Sequence, residues 1–218
     1  GLQTEQIEEG QFLMRGGNDA VIGRATAKSA AKAGEDAAGN TYTPSTFAFG
    51  ITQMTAEANN ADPGAGTGLI DTGQGHDTLD GRAVAVGEHD VAAFGLLLEN
   101  TNTGDGQDML NGSAKSQSSD VAFTSGIAVG LEEDMFLKTN SVGGSYGLGA
   151  EAGLLNTGNG ADSLIALGKA TGEVSATARG IDVANGVINL GAGADTIKAV
   201  ARAKANDPDG EEMAIGIY

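Results

Sequence analysis

The sequence predicts an all-β chain wound as a parallel β-helix, right-handed by the chirality of parallel β crossovers. Three observations carry that prediction. A short pattern ending in aspartate recurs six times along the 218 residues. After each aspartate, small or apolar residues alternate with polar ones at the period of a strand. With 36 glycines and only 4% aromatic residues, the chain lacks the material for stable helices or for a broad globular core. Recurrence at a fixed phase means one unit stacked on itself, so the chain reads as an array.

Each element follows from its position relative to the aspartate. Four copies of the corner are nearly intact and end at Asp77, Asp108, Asp162 and Asp195. Their glycine pairs are Gly73 and Gly75, Gly104 and Gly106, Gly158 and Gly160, and Gly191 and Gly193. Two degraded copies end at Asp19 and Asp134, where Arg15 and Glu132 replace motif glycines. Two residues beyond the aspartate stand Val21, Leu79, Leu110, Phe136, Leu164 and Ile197. The next even positions are mostly Gly or Ala, which implies a narrow interior with no room for larger side chains. Ala25–Ala33 has a composition that would suit a short helix, but it also continues the strand alternation.

A second segment is marked by Gly95-Leu96, Gly126-Ile127 and Gly180-Ile181, with looser equivalents at Gly50-Ile51, Gly147-Leu148 and Gly216-Ile217. A third runs into the next corner with an apolar residue seven before the aspartate: Phe12, Ile70, Ile127, Leu155 and Ile188, with Thr101 the exception. Each rung therefore holds about three short strands. Six motifs with partial rungs at both ends predict roughly seven rungs in a single domain spanning 1–218. The 58 residues between Asp19 and Asp77 accommodate one rung with two insertions, at about 34–45 and 55–66, in preference to two rungs.

The aspartate shares the parity of the buried position two beyond it, so it should point inward. In stacked rungs such carboxylates lie about 4.8 Å apart, where unit charges repel by about 0.9 kcal/mol even in water. The row needs protons, backbone N–H donors or cations. Here the corner resembles the RTX, or haemolysin-type, calcium-binding repeat, in which Gly-x-Gly-x-Asp-x-apolar builds a parallel β-roll. The resemblance implies Ca²⁺ between successive turns, held by Asp77, Asp108, Asp162 and Asp195 with carbonyls near the eight motif glycines; Asp19 and Asp134 would be the ligands of the degraded copies. It covers one corner of each rung. This chain carries the motif once per rung of about 30 residues, where an RTX roll carries it on both sides of a shorter turn. The alternative is a metal-free Asx corner in which each carboxylate accepts backbone N–H groups.

Charge and composition bound the function. Acidic residues outnumber basic ones 29 to 12, for a net charge of −17, which disfavours nucleic acid and anionic membranes as partners. There are no cysteines, and no apolar run reaches the roughly 18 residues of a membrane span. His76 and His89, the only histidines, lack ligand spacing and read as surface residues. Asp207–Glu212 reads as an acidic turn and Glu132–Asp134 as an acidic loop. Outward charges look scattered, so an enzyme is not expected. The chain opens and closes in the same phase of the repeat, which leaves open rungs. The expectation is therefore an extracellular or cell-surface structural protein, calcium-stabilised and stacking head to tail into a filament, surface layer or adhesin stalk. Alternatives are a polysaccharide-acting β-helix, a module that binds surface carbohydrate, and an ice-binding solenoid, the last needing a regular outward Thr array.

Overall fold

The structure is a computed structural model that describes residues 2–3, 11–14, 16–30, 34–35, 41–42, 45–53, 69–130, 153–183 and 186–218. Its strands fall into coils of three. The first coil holds β1 (Leu2–Gln3), β2 (Gln11–Leu13) and β3 (Ala20–Lys28). A small antiparallel pair follows, β4 (Gly34–Glu35) with β5 (Thr41–Tyr42). The second coil is β6 (Thr46–Thr52), β7 (Leu69–Asp71) and β8 (Thr78–Gly87). The third is β9 (Val91–Leu98), β10 (Asn100–Asn102) and β11 (Met109–Ser118), and the fourth β12 (Val121–Val129), β13 (Gly153–Asn156) and β14 (Ser163–Gly172). The fifth is β15 (Ser175–Asp182), β16 (Gly186–Asn189) and β17 (Thr196–Ala205), and β18 (Glu211–Ile217) begins a sixth.

Like strands stack into three parallel sheets. Sheet one runs β1-β6-β9-β12-β15-β18, sheet two β2-β7-β10-β13-β16, and sheet three β3-β8-β11-β14-β17. This is a parallel β-solenoid with three strands per coil. The residues two beyond each aspartate lie in consecutive register down sheet three: Val21, Leu79, Leu110, Leu164 and Ile197. Ile51, Leu96, Ile127, Ile181 and Ile217 form the matching row of sheet one. Phe12, Ile70, Thr101, Leu155 and Ile188 form that of sheet two. The inner members of these rows make the main core, while Ile197 and Ile217 stand exposed.

The coil count differs from the expected seven. Ala20–Lys28 pairs directly with Thr78–Gly87, so one coil separates Asp19 from Asp77. Met109–Ser118 pairs directly with Ser163–Gly172, so one coil also separates Asp108 from Asp162. Asp134, Phe136 and Gly147-Leu148 lie outside the described residues, and no strand of theirs intervenes between β11 and β14. The long interval falls between β12 and β13. Ile127 had two possible assignments, and its register with Leu96 and Ile181 puts it in sheet one. The helix-compatible stretch from Ala25 stays in β3 as far as Lys28.

The interior is narrow for a definite reason. A Cβ on Gly112 would stand 2.1 Å from the Gly126 carbonyl oxygen, and one on Gly81 would stand 2.1 Å from that of Gly95. Sheets one and three thus approach backbone to backbone along this edge. Beyond it small side chains predominate, as in the clusters of Ala83, Ala85, Ala93 and Ala114 with Val91, and of Ala122, Ala170, Ala176 and Ala178. The bulk of the apolar core lies on the other side, under sheet two.

Candidate functional site at the aspartate corner

The corner joins sheet two to sheet three. Gly73, Gly104, Gly158 and Gly191 take φ values of 85, 80, 77 and 71°, the left-handed turn that a Cβ disfavours. The second glycine of each pair stacks against its counterpart. A Cβ on Gly106 would stand 1.4 Å from the Gly75 carbonyl oxygen, and one on Gly193 would stand 1.3 Å from that of Gly160. The Gly75, Gly106 and Gly160 amides donate one coil onward to the carbonyls of Asp105, Asn159 and Ala192 at 2.9–3.0 Å. The glycine pattern is therefore set by how closely the coils stack.

The structure brings Asp19, Asp77, Asp108, Asp162 and Asp195 into one column. Asp77, Asp108 and Asp162 are each 1% exposed, while Asp19 and Asp195, in the outer coils, are half-buried. Each carboxylate serves the coil before it. The Asp19 amide donates to Asp77 Oδ1 at 2.8 Å, that of Asp77 to Asp108 Oδ1 at 2.9 Å, that of Asp108 to Asp162 Oδ1 at 2.9 Å, and that of Asp162 to Asp195 Oδ1 at 3.0 Å. These are charge-assisted bonds, among the stronger kinds in proteins. The second oxygens of Asp19, Asp77, Asp108 and Asp162 are buried without a hydrogen-bond partner. Burial pushes the Asp108 carboxyl above its ordinary value of 3.8; the neighbouring Thr103 hydroxyl and the Asp77 amide oppose this, and the charges of Asp162 and Asp77 add to it.

Two neighbouring ladders support the column. At the position six before the aspartate, Asn102 Nδ2 donates to Asp71 Oδ1, Asn156 Nδ2 to Asn102 Oδ1, and Asn189 Nδ2 to Asn156 Oδ1, at 2.8–3.1 Å. Sequence reasoning missed this ladder, although Asp-Thr-Gly at 71–73 and Asn-Thr-Gly at 102–104 and 156–158 signal it. The next residue inward is a buried threonine: Thr72 Oγ1 donates to the Thr103 carbonyl at 3.2 Å, and Thr157 Oγ1 to that of Leu190 at 3.3 Å. On the outer side, His76 Nδ1 accepts the Gln107 amide at 2.9 Å, and the His76 amide donates to Asn18 Oδ1 at 3.0 Å. His76 therefore belongs to the stacking of the corner.

Calcium takes six to eight oxygens converging at about 2.3–2.6 Å. The residues here do not fit that requirement. One oxygen of each inner carboxylate is engaged by an amide. The carbonyl oxygens of Gly73, Gly75, Gly104, Gly106, Gly158 and Gly160 abut the next glycine along the axis. Among the described residues no three acidic or histidine side chains stand at metal-binding spacing. Asp134 lies outside the described residues. What the arrangement does is hold successive coils in register through backbone amides.

No family model, curated protein or solved structure matches the chain.

Proposed function

We propose that this chain is a non-catalytic, extracellular structural module that grows by stacking the last coil of one copy on the first coil of the next. The observation that supports this reading most is the state of the last coil. Ile197 is 44% exposed and Ile217 57%, whereas their register neighbours Leu164 and Ile181 are 0% and 1% exposed. That face is a cross-section of the core, bordered by strands β16, β17 and β18, each paired on one side only among the described strands. Apolar side chains beside unpaired strand edges are a template for a further coil.

The first coil supplies a matching surface. With β2 and β3 of a second copy laid over β16 and β17, sheets two and three continue across the junction, while its two-residue β1 meets the level of β18 and yields that place in sheet one. In the aspartate ladder, the Asp195 amide is the next donor and the Asp19 carboxylate of the incoming copy the next acceptor. Such a contact is heterologous and does not close on itself, so it propagates. The extracellular setting rests on the acidic composition and on the corner's resemblance to secreted repeats.

Sedimentation velocity over a range of concentrations tests the reading. Growth of rod-like polymers is the expected result, and the Ile197→Lys and Ile217→Lys variants should remain monomeric while keeping the β circular dichroism signal. A wild-type chain that stays monomeric at every concentration overturns it.

A further inference from the structure

The outward face of sheet three concentrates positive charge on a strongly acidic protein. Strand β17 alone presents Lys198, Arg202 and Lys204, all exposed. Lys115 and Lys169 stand in register with Arg202, one above the other across β11, β14 and β17. Arg24 and Lys28 on β3 and Arg82 on β8 extend the face to the first coils. Eight of the chain's 12 basic residues thus share one sheet face, where the only carboxylate among the described strand residues is Asp80, paired with Arg82 at 3.1 Å. The molecule as a whole carries −17.

The register makes this more than an accumulation of surface charge. Like charges directly opposite one another on neighbouring strands destabilise a sheet. Lys115, Lys169 and Arg202 occupy one such row in three consecutive coils, with no ion pair to any described residue. An anion lying along the row would offset that repulsion at every coil.

We infer that this face binds a linear acidic polysaccharide, a polyuronate lying parallel to the solenoid axis, with its carboxylates on the Lys115–Lys169–Arg202 row. The cations recur once per coil, about every 4.8 Å, which is close to the length of one sugar in an extended chain. Nucleic acid fits less well. A DNA strand places a phosphate about every 3.4 Å and a duplex twice as densely. Single strands are held by stacking on aromatic side chains, and the outward positions of β3, β8, β11, β14 and β17 hold none. Flanking Ser113, Gln117 and Thr171 offer hydroxyl and amide groups suited to sugar hydroxyls. This inference uses the side of the solenoid and stands apart from the stacking of its ends.

The test is isothermal titration of the full chain with sodium polygalacturonate at low ionic strength, with EDTA present so that no divalent cation bridges the two. Binding should weaken steadily as salt is raised, and it should fall by about tenfold or more in the K115Q/K169Q/R202Q variant. K115R/K169R, which keeps the charge of the row, should bind as the wild type does. Because the three side chains are exposed, the variant's circular dichroism should match the wild type. Three results overturn the inference: no binding to polygalacturonate at low salt, undiminished binding by the triple variant, or equally tight binding of duplex DNA. A fourth does so by naming another occupant: self-association, without any polymer, that the triple substitution alone abolishes would show that the face takes a second copy.

Discussion

Asp108 sits between two other buried carboxylates and is held there because its Oδ1 accepts the Asp77 amide. Its folded-state pKa is raised, by burial before any other cause. A raised carboxyl contributes stability that is fully present below its ordinary value of 3.8 and is lost as pH rises through the folded-state value. Thermal melts should therefore show a component that strengthens on acidification from neutral pH. Asp108→Asn keeps the acceptor oxygen and removes the charge. We expect it to melt at or above the wild-type temperature at pH 7 and to lose that acid-side gain; a variant that melts far lower at pH 7 would show that the charge itself holds the corner. At this scale the sequence was informative about the aspartates and their inward direction, because parity alone settles which way a strand residue points. It did not reveal whether N–H groups or cations neutralise the row. That depends on where the neighbouring coil's amides lie.

Among the elements, sheet two carries the one interruption in the apolar row. Thr101 replaces a hydrophobic residue, yet it is 1% exposed. Its hydroxyl donates to Gln53 Oε1 at 2.6 Å, the Glu99 amide donates to the same oxygen at 3.1 Å, and Gln53 Nε2 donates to the Asn100 carbonyl at 2.8 Å. A buried polar residue is tolerated because a second one, 48 residues away in sequence, satisfies it. Gln53→Leu should cost about 1–3 kcal/mol in urea denaturation by orphaning these groups. Adding Thr101→Val should recover part of that loss, and strictly additive effects would contradict the coupling. Sheet one holds a second feature hidden in the sequence. Phe47, Phe49, Phe94 and Phe123 form a row on its outward side, with centroid separations of 5.4–6.4 Å. Phe47 and Phe49 share one strand, and the coil register brings Phe94 and Phe123, from the next two coils, beside them.

At the scale of the whole molecule, the number of coils and the chemistry of the corner are linked. Five acidic corners stack in one column, and Asp134 does not separate Asp108 from Asp162. The amide-to-carboxylate ladder predicts that EDTA leaves the thermal transition and the β signal unchanged. A transition lowered by chelator and restored by added Ca²⁺ would show that the uncommitted carboxylate oxygens hold an ion after all. The basic face belongs to this scale as well. Read along the chain, its charges are single and scattered, usually one or two per strand. Stacking converts a spacing of about one coil into a row, and a composition that is acidic overall conceals it.

By itself the amino-acid sequence determined the all-β class, the three strands per coil, the inward rows and the glycine corners, because each depends on a local period or a local backbone requirement. The tertiary structure decided what depends on contacts between coils: that long intervals fall within single coils, that asparagine and aspartate each form a ladder beside a broken threonine one, and that cations scattered along the chain share one face. Parallel stacking places residues 31–58 positions apart about one strand spacing from each other, a proximity that no local pattern records.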